Sequence, residues 1–584
     1  MIMSFLGTRW QVAQPPPKSH LDQFADVDPL LVQVLYNRGI AEPAAVDAFL
    51  HHRHPQSDDP FLLKGMEAAV GRIARAIEQE DPIAIYGDYD ADGVTAAVLL
   101  VQALRAMGAA RVQPYIPHRI EEGYGLNNDA LEKLVAQGNQ LVITVDCGIR
   151  GVDQVRHANQ LGLDVIITDH HTVGPELPPA AAVLDPKQEG DDYPDRMLAG
   201  VGIAFKLIQG LSQAGLTLDG FAGAEDDLLD LVALGTVADL APLLNENRTL
   251  VYRGLEVINQ ARRPGVAALL NQARVKPGQA TATTIGFALG PRINAAGRMA
   301  HAYQAARLLI TDDPAAAGCL AAELNTLNRL RQDQTREMTA LAETLALDQT
   351  LVEETPLLFA IHPDFPPGIV GLIASRLMDR YYRPAIVAQA RGELVVGSCR
   401  SIPEFHITEA LDQCGELLVR HGGHAAAAGF TVQAKNLPAF QERLAGIAKE
   451  QLSDRELVPT LNIDAELALD DIVWEAQKSL ARLEPCGYAN PTPLLYSSNV
   501  RVVSSRPVGS DGAHLKLVLA PWRKKHPHHR GENRSFDAIA FRMGDRVDQL
   551  QGRMDIVYRL EVNEWNGRVN LQLNIQDMRP AGEE

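Results

Sequence analysis

The chain has 584 residues and a mass of 63.5 kDa, so at roughly 100–200 residues per domain it holds several domains, which excludes a lone binding module. Hydrophobic residues make up 46% and charged residues 22%, a globular balance that excludes a mostly disordered chain. The net charge of −19 counts against a nucleic-acid partner, yet residues 501–584 hold 14 Lys and Arg against 11 Asp and Glu, so the average hides an asymmetry.

No run approaches the roughly 20 apolar residues that span a bilayer. The start, MIMSFLGTRWQVAQPPPKSH, has no basic region before its short apolar stretch and no small-residue cleavage site, which argues against a signal peptide. The five cysteines form no close pair, which fits a reducing, cytoplasmic setting and excludes a zinc ribbon.

Residues 1–45, with three prolines at 15–17, read as an extension packed on a larger domain. From Pro82 the pattern becomes βα: IAIYG (83–87), an apolar helix over 94–108, LVITV (141–145), a helical segment around 151–161, and DVIIT (164–168). Val- and Ile-rich strands alternating with helices predict an α/β fold with a parallel sheet covered on both faces. Helical patterns dominate from about Ala199 to Leu309, the clearest over 228–243 with Asp239 at its far end. Residues 318–347 lack proline and internal glycine and predict one helix of about thirty residues, a rigid connector of some 45 Å. A second, smaller α/β region follows: LLFAI (357–361), a helix over 367–382, AIVAQ (385–389), ELVVGSCRS (393–401) and a helix at 407–419. Beyond Val458, short alternating runs separated by turn residues predict a small antiparallel β-barrel.

Each strong strand of the first region runs into acids or imidazoles: GDYDADG with Asp88, Asp90 and Asp92, VDCG with Asp146, and TDHH with Asp169, His170 and His171. Ligands of open parallel sheets bind beyond the carboxyl ends of the strands. Any one of these Asp residues reads more readily as a turn or helix cap, and a lone His as a loop residue. Three such motifs in succession favour a metal site, because so many carboxylates cannot share a cleft without a cation. Carboxylates with few imidazoles and no thiolate suit Mg²⁺ or, better, Mn²⁺, and two ions would use the ligands fully. There is no P-loop and no GxSxG, so neither ATP hydrolysis nor a serine nucleophile is indicated.

These motifs, with the ADLAPL stretch, resemble the DHH phosphoesterase superfamily, and RHGGHAAAAGF (420–430) is similar to the glycine-rich signature of its DHHA1 substrate-binding domain. GYGLN (123–127), GPRINAAGRM (290–299) and GSCRS (397–401) narrow the resemblance to the RecJ family of bacterial exonucleases. It implies a catalytic DHH domain at 46–315, a connecting helix at 316–352, a DHHA1 domain at 353–456 and an OB-fold at 457–584. It implies a 5′→3′ exonuclease on single-stranded DNA that releases 5′ mononucleotides in repair and recombination. Asp88, Asp90, Asp146, His170 and Asp239 would hold two Mn²⁺ or Mg²⁺ ions, with Asp146 as bridge. His171 would contact the scissile phosphate, with Asp92 and Asp169 supporting from behind. Arg119, Arg292, Arg298, Ser398 and Arg400, in turn-like contexts, would hold the 5′ end, and Gly422, Gly423 and His424 the substrate. The alanines are left structural.

In the OB-fold, Trp522, Phe536, Phe541 and Trp565 are available for stacking, Phe541 equally suited to the core, and Trp522 with Arg523, Lys524 and Lys525 reads either as a solvated loop or as a rim for DNA. The resemblance further implies a cytoplasmic monomer that meets a single-stranded-DNA-binding protein and a RecQ-type helicase, with no membrane. Where pyrophosphatases of the superfamily carry a histidine four residues before the first ligand, this chain has Ala84, which counts against that activity and leaves one ion a ligand short. Two alternatives differ in class. An oligonucleotide or cyclic-dinucleotide phosphodiesterase would stop after the second domain, and an inactive replication scaffold would have lost the carboxylates present here.

Overall fold

The computed structural model describes residues 4–53, 59–221, 224–347, 355–509, 511–522, 534–550, 552–565 and 567–582. They form two compact units: Met1–His51 with Val458–Cys486 and Asn490–Glu584, and His52–Leu457 with Gly487–Ala489.

The larger unit contains two sheets. In the first, strands Val112–Tyr115, Ile83–Gly87, Leu141–Val145, Asp164–Thr168 and Ala182–Leu184 lie side by side in that order, all parallel. Ile83–Gly87 and Leu141–Val145 are buried along their whole length, as continuous apolar runs in a doubly covered sheet must be. The chain order reverses beside Ile83–Gly87, so the crevice for ligands opens beyond it and Leu141–Val145. Register then sets the chemistry. Gly87 pairs with Val145, Val145 with Thr168 and Thr168 with Leu184, so Asp88, Asp146, Asp169 and Asp185 leave the sheet at one level. Helix Ala91–Ala106 packs between this sheet and helices Gly200–Gln213 and Leu229–Ala238, and is accordingly apolar on nearly every face.

The connector is helix Pro314–Leu347, 34 residues and about 51 Å long, starting four residues before the expected point because proline suits a first helical turn. Its buried positions Ala317, Leu320, Ala321, Leu324 and Asn328 make one stripe against helices Pro264–Gln272 and Gly290–Met299. Its far end meets strand Leu358–His362 and helix Val370–Tyr381.

The second sheet is mixed: Leu418–His424, Ala427–Gln433, Leu394–Arg400, Ala385–Arg391 and Leu358–His362, with only the last pair parallel. One expectation fails here. The helix expected over 407–419 ends at Asp412, and a short turn at Gly415–Leu417 leads into a strand. The HGGHAAAAGF stretch is a β-hairpin; Ala427 and Ala428 pair with Arg400 and Cys399 as strand residues.

In the smaller unit, Leu495–Val508, His514–Pro521, Phe536–Ala540, Arg568–Pro580 and Arg553–Trp565 form a sheet that closes back on its first strand. One pair, Phe536–Ala540 with Arg568–Pro580, is parallel, so the barrel is not wholly antiparallel as expected. The N-terminal segment belongs to this unit. Strand Arg9–Val12 pairs in parallel with Thr460–Ile463, and buried Asp577 accepts from Leu6 N, Thr8 Oγ1 and Trp10 Nε1 at 3.2, 2.5 and 3.0 Å.

Candidate metal centre

The DYDADG turn owes its shape to two local devices. Asp90 caps helix Ala91–Ala106, its Oδ1 accepting from the amides of Asp92 and Gly93. Gly93 lies against the Asp88 backbone, where a Cβ would come within 2.5 Å of the Asp88 nitrogen. The turn therefore folds back tightly and aims Asp88 and Asp90 at the crevice. Oxygens of Asp88, Asp90 and Asp146 converge within 4.8 Å, as do ligand atoms of Asp146, His170 and His171, and of Asp92, His170 and Asp239. His170 Nε2 stands 3.0 Å from Asp146 Oδ1 and 3.8 Å from Asp239 Oδ2. Asp239 reaches the cluster from the C-terminal end of helix Leu229–Ala238.

The charges are untenable without a cation. Burial, then the neighbouring carboxylate Asp90, holds Asp88 well above the carboxylate range. Burial, then Asp92, Asp90 and Asp239, does the same to Asp146, and Asp239 is pushed up to about 9 by burial, then Asp92 and Asp90. His170 is pushed down to about 3 by burial and by His171 beside it, so it is a neutral imidazole, the form that ligates metals. Asp88 Oδ1, Asp146 Oδ1 and His170 Nε2 are buried without a hydrogen-bond partner. Orphaned acceptors in overlapping groups that share Asp146 are the donor set divalent cations satisfy, so the residues fit the ions implied by sequence.

Asp92 and Asp169 serve differently. Asp92 spends both oxygens on the amides of Gly200 and Val201, at 2.8 and 2.9 Å, pinning the start of helix Gly200–Gln213. Asp169 accepts from the amides of Ile149, His170 and His171 and from His171 Nδ1 at 2.7 Å. Burial alone would raise Asp169, but these bonds lower it; reciprocally, burial would lower His171, but Asp169 raises it. Asp169 thus fixes the His171 ring at the mouth of the cluster and favours its charged form.

His171 and Asp169 line a cavity of about 780 Å³ whose other wall carries Arg400, Gly422, Gly423 and His424. Tyr124 and Arg150 are among the residues not assigned from sequence that also line it. Tyr124 holds its hydroxyl 3.3 Å from His171 Nδ1, and its GYGLN segment is tied to the sheet by Tyr86, whose hydroxyl donates to the Gly125 carbonyl. Lys187 was missed as well. It follows the short strand Ala182–Leu184 and donates from Nζ to the His170 carbonyl.

Of the arginines, Arg119 alone lies in a turn, over the Tyr89 ring at 4.5 Å. Arg292 and Arg298 stand on helix Gly290–Met299 and Ser398 and Arg400 on strand Leu394–Arg400, so the expected turns are regular elements. Burial, then the neighbouring Arg119 and Arg331, pushes Arg298 down to about 9. Arg292 is spent elsewhere, on the Ala288 carbonyl and Asn325 Oδ1. On the barrel, Trp522 and Phe541 are exposed while Phe536 is core and unavailable for stacking. Arg523, Lys524 and Lys525, with the rest of the basic loop, lie outside the described residues, as does the Trp565 side chain.

Family models match three stretches: the DHH family N-terminal domain at 82–236, the DHHA1 domain at 354–450 and the RecJ OB domain at 463–577. The chain is 38% identical over 580 residues to the single-stranded-DNA-specific exonuclease RecJ of Bacillus subtilis, covering 97% of this chain and 70% of that protein. To the Escherichia coli protein of the same name it is 34% identical, covering 95% and 96%. The crystal structure of RecJ from Thermus thermophilus in complex with Mn²⁺ superposes with a TM-score of 0.82 at 30% identity, over 98% of this chain and 80% of that one. Its Mg²⁺ complex gives 0.76.

Proposed function

The chain belongs to the RecJ family of single-stranded-DNA-specific exonucleases, and from that membership we propose that it digests single strands from the 5′ end and releases 5′ mononucleotides. One observation carries the reading: three orphaned ligand atoms of Asp88, Asp146 and His170 lie beside a cavity walled by Arg400, Gly422, Gly423 and His424. Two divalent cations on Asp88, Asp90, Asp146, His170 and Asp239 would supply charge neutralisation and Lewis acidity at the scissile phosphate.

The chain's own residues do the rest. Asp169 fixes the His171 ring and favours its charged form, so the ring faces a non-bridging oxygen in which charge develops. Arg298, Ser398 and Arg400, with Arg119 nearby, hold the terminal 5′-phosphate through planar, charge-assisted hydrogen bonds. Hydrolysis breaks the P–O3′ bond of the first nucleotide. That nucleotide leaves with its own 5′-phosphate and a 3′-hydroxyl, while the shortened strand gains a new 5′-phosphate that fits the same pocket.

The domain limits assigned are 46–315, 316–352, 353–456 and 457–584, with 1–45 as an N-terminal segment; the three family matches fall within the globular ones. The barrel holds single-stranded DNA away from the reacting phosphate. No described helix is long and apolar enough to cross a membrane. From the family we infer a cytoplasmic monomer acting on DNA beside a single-stranded-DNA-binding protein and a RecQ-type helicase.

The test is a pair of single strands labelled at opposite ends and incubated with Mn²⁺. The 5′ label should appear first, as a mononucleotide, and a bulky 5′ block should protect the strand. Early release of a 3′ label, or full-rate digestion of the blocked strand, would overturn the polarity.

A further inference from the structure

The geometry points to Gly371 as the residue that sets the size of the 5′-phosphate pocket, an inference resting on the placement of the 5′ end at Ser398 and Arg400. Those two residues stand two apart on strand Leu394–Arg400 and so share a face of the sheet. Arg400 Nη1 donates to Ser398 Oγ at 2.9 Å and to the Cys399 carbonyl at 2.8 Å, which fixes the guanidinium plane. Against that face packs helix Val370–Tyr381, with Gly371 at its second position. A Cβ on Gly371 would lie 2.9 Å from Arg400 Nη2 and 3.1 Å from Ser398 Oγ. Its hydrogen leaves open the space between the two donors; a methyl group fills it.

The same PPGIVG turn brings in the third donor. The Gly368 carbonyl accepts from Arg298 Nη1 at 3.0 Å, and a Cβ on Gly368 would meet the Arg298 carbonyl at 2.3 Å. Arg298 arrives from the sheet domain that holds the acidic cluster, Ser398 and Arg400 from the glycine-rich one, and the two glycines let them close around one anion. Gly371 differs from Gly368 in what a side chain would strike: the far end of a flexible arginine, not backbone. Its backbone conformation is not left-handed, and alanine is the better helix former. Gly371→Ala should therefore fold, with its Arg400 guanidinium displaced.

The experiment uses the full chain with Mn²⁺ and single strands of one sequence bearing a 5′-phosphate or a 5′-hydroxyl, and compares kcat/KM for the two. The wild type should prefer the phosphate, and in Gly371→Ala that preference should fall about tenfold or more, as for one lost charge-assisted hydrogen bond, with an undiminished melting temperature. An unchanged preference overturns the role of Gly371 while leaving Ser398 and Arg400 in place. Equal losses on both substrates with a lower melting temperature would make Gly371 a packing residue and also overturn it. A wild type without any preference would overturn the placement of the 5′ end itself.

Discussion

Gly200 lies so close to Asp146 that a Cβ on it would stand 2.7 Å from the Asp146 Cβ and 3.0 Å from Asp146 Oδ1. Asp146 itself has a left-handed backbone, φ 60°, which costs a non-glycine residue energy and persists only where its surroundings impose it. Those surroundings are the first turn of helix Gly200–Gln213, and Asp92 holds that turn by both its oxygens. The third Asp of DYDADG thus acts on the candidate ligand Asp146 through the backbone of another helix.

Gly200→Ala should consequently weaken metal binding more than it weakens the fold. We expect a fall of about ten- to a hundredfold in Mn²⁺ affinity, the range for groups that orient ligands. Titration calorimetry and thermal melting on the same protein would show it. Wild-type Mn²⁺ affinity in a well-folded Gly200→Ala would refute the link between Gly200 and Asp146.

The carboxylates also predict how the metal-free protein responds to pH. Asp92 is held up to about 7 and Asp239 up to about 9, burial being the larger cause for each, from an ordinary value of 3.8. A raised acid keeps its proton in the folded chain while the unfolded chain ionises, so the folded state is favoured at low pH. Stability should decline as pH rises from about 4 towards about 9. Melting temperatures with a chelator should show that decline, and saturating Mn²⁺ should flatten it. Removing one charge by Asp146→Asn should raise the chelated melting temperature and shrink the Mn²⁺ shift. Identical pH profiles with and without Mn²⁺ would mean that the cluster does not bind the ion.

What the sequence made legible follows from side-chain chemistry. Strands 83–87, 141–145 and 164–168 are buried on both faces or nearly so, and declare themselves as runs of Val and Ile. The two outer strands do not. VQPY carries a proline at a sheet edge, and AVL is three residues long, so Asp185 and Lys187, which follow AVL, had no strand end to be read from. The hairpin at 418–433 was hidden because Gly and Ala have too little apolar surface to display a period of two. Arg292 and Arg298 illustrate a different limit. The motif is clear, but which arginine faces the site depends on the helix around it, and one turns to Asn325 instead.

The smaller unit joins the two ends of the chain, so a C-terminal fragment should not fold by itself. Asp577 is fully buried and gathers three donors from residues 6–10, while Arg579 lies over the Trp10 ring at 4.3 Å. Residues 457–584 alone should be poorly soluble, and co-expression with residues 1–51 should restore a cooperative melt. Asp577→Ala should cost roughly 3 kcal/mol in the intact chain through lost hydrogen bonds, with faster amide exchange along Arg9–Val12. A stable 457–584 fragment with a normal melt would show that the N-terminal strand is dispensable.

Strand selectivity should be a matter of room. The cavity beside the acidic cluster measures about 780 Å³ and is lined on one side by Tyr89 and Tyr124 and on the other by Arg400 and the Gly422–His424 hairpin. That volume suits a nucleotide or two of a single strand, whereas the major groove of B-form duplex alone is roughly 12 Å wide. The walls offer rings, arginines and backbone, which grip phosphates and base faces alike without choosing among bases. Binding should therefore be insensitive to sequence and weaken steeply with salt, as counterions are released from the strand. Blunt duplex should resist digestion, and a duplex with a 5′ single-stranded tail should be trimmed to the junction and stop there. Rates on the two substrates at fixed salt in Mn²⁺ decide it. Equal rates would show that the enzyme opens duplex for itself, and that the width of this cavity does not select the strand.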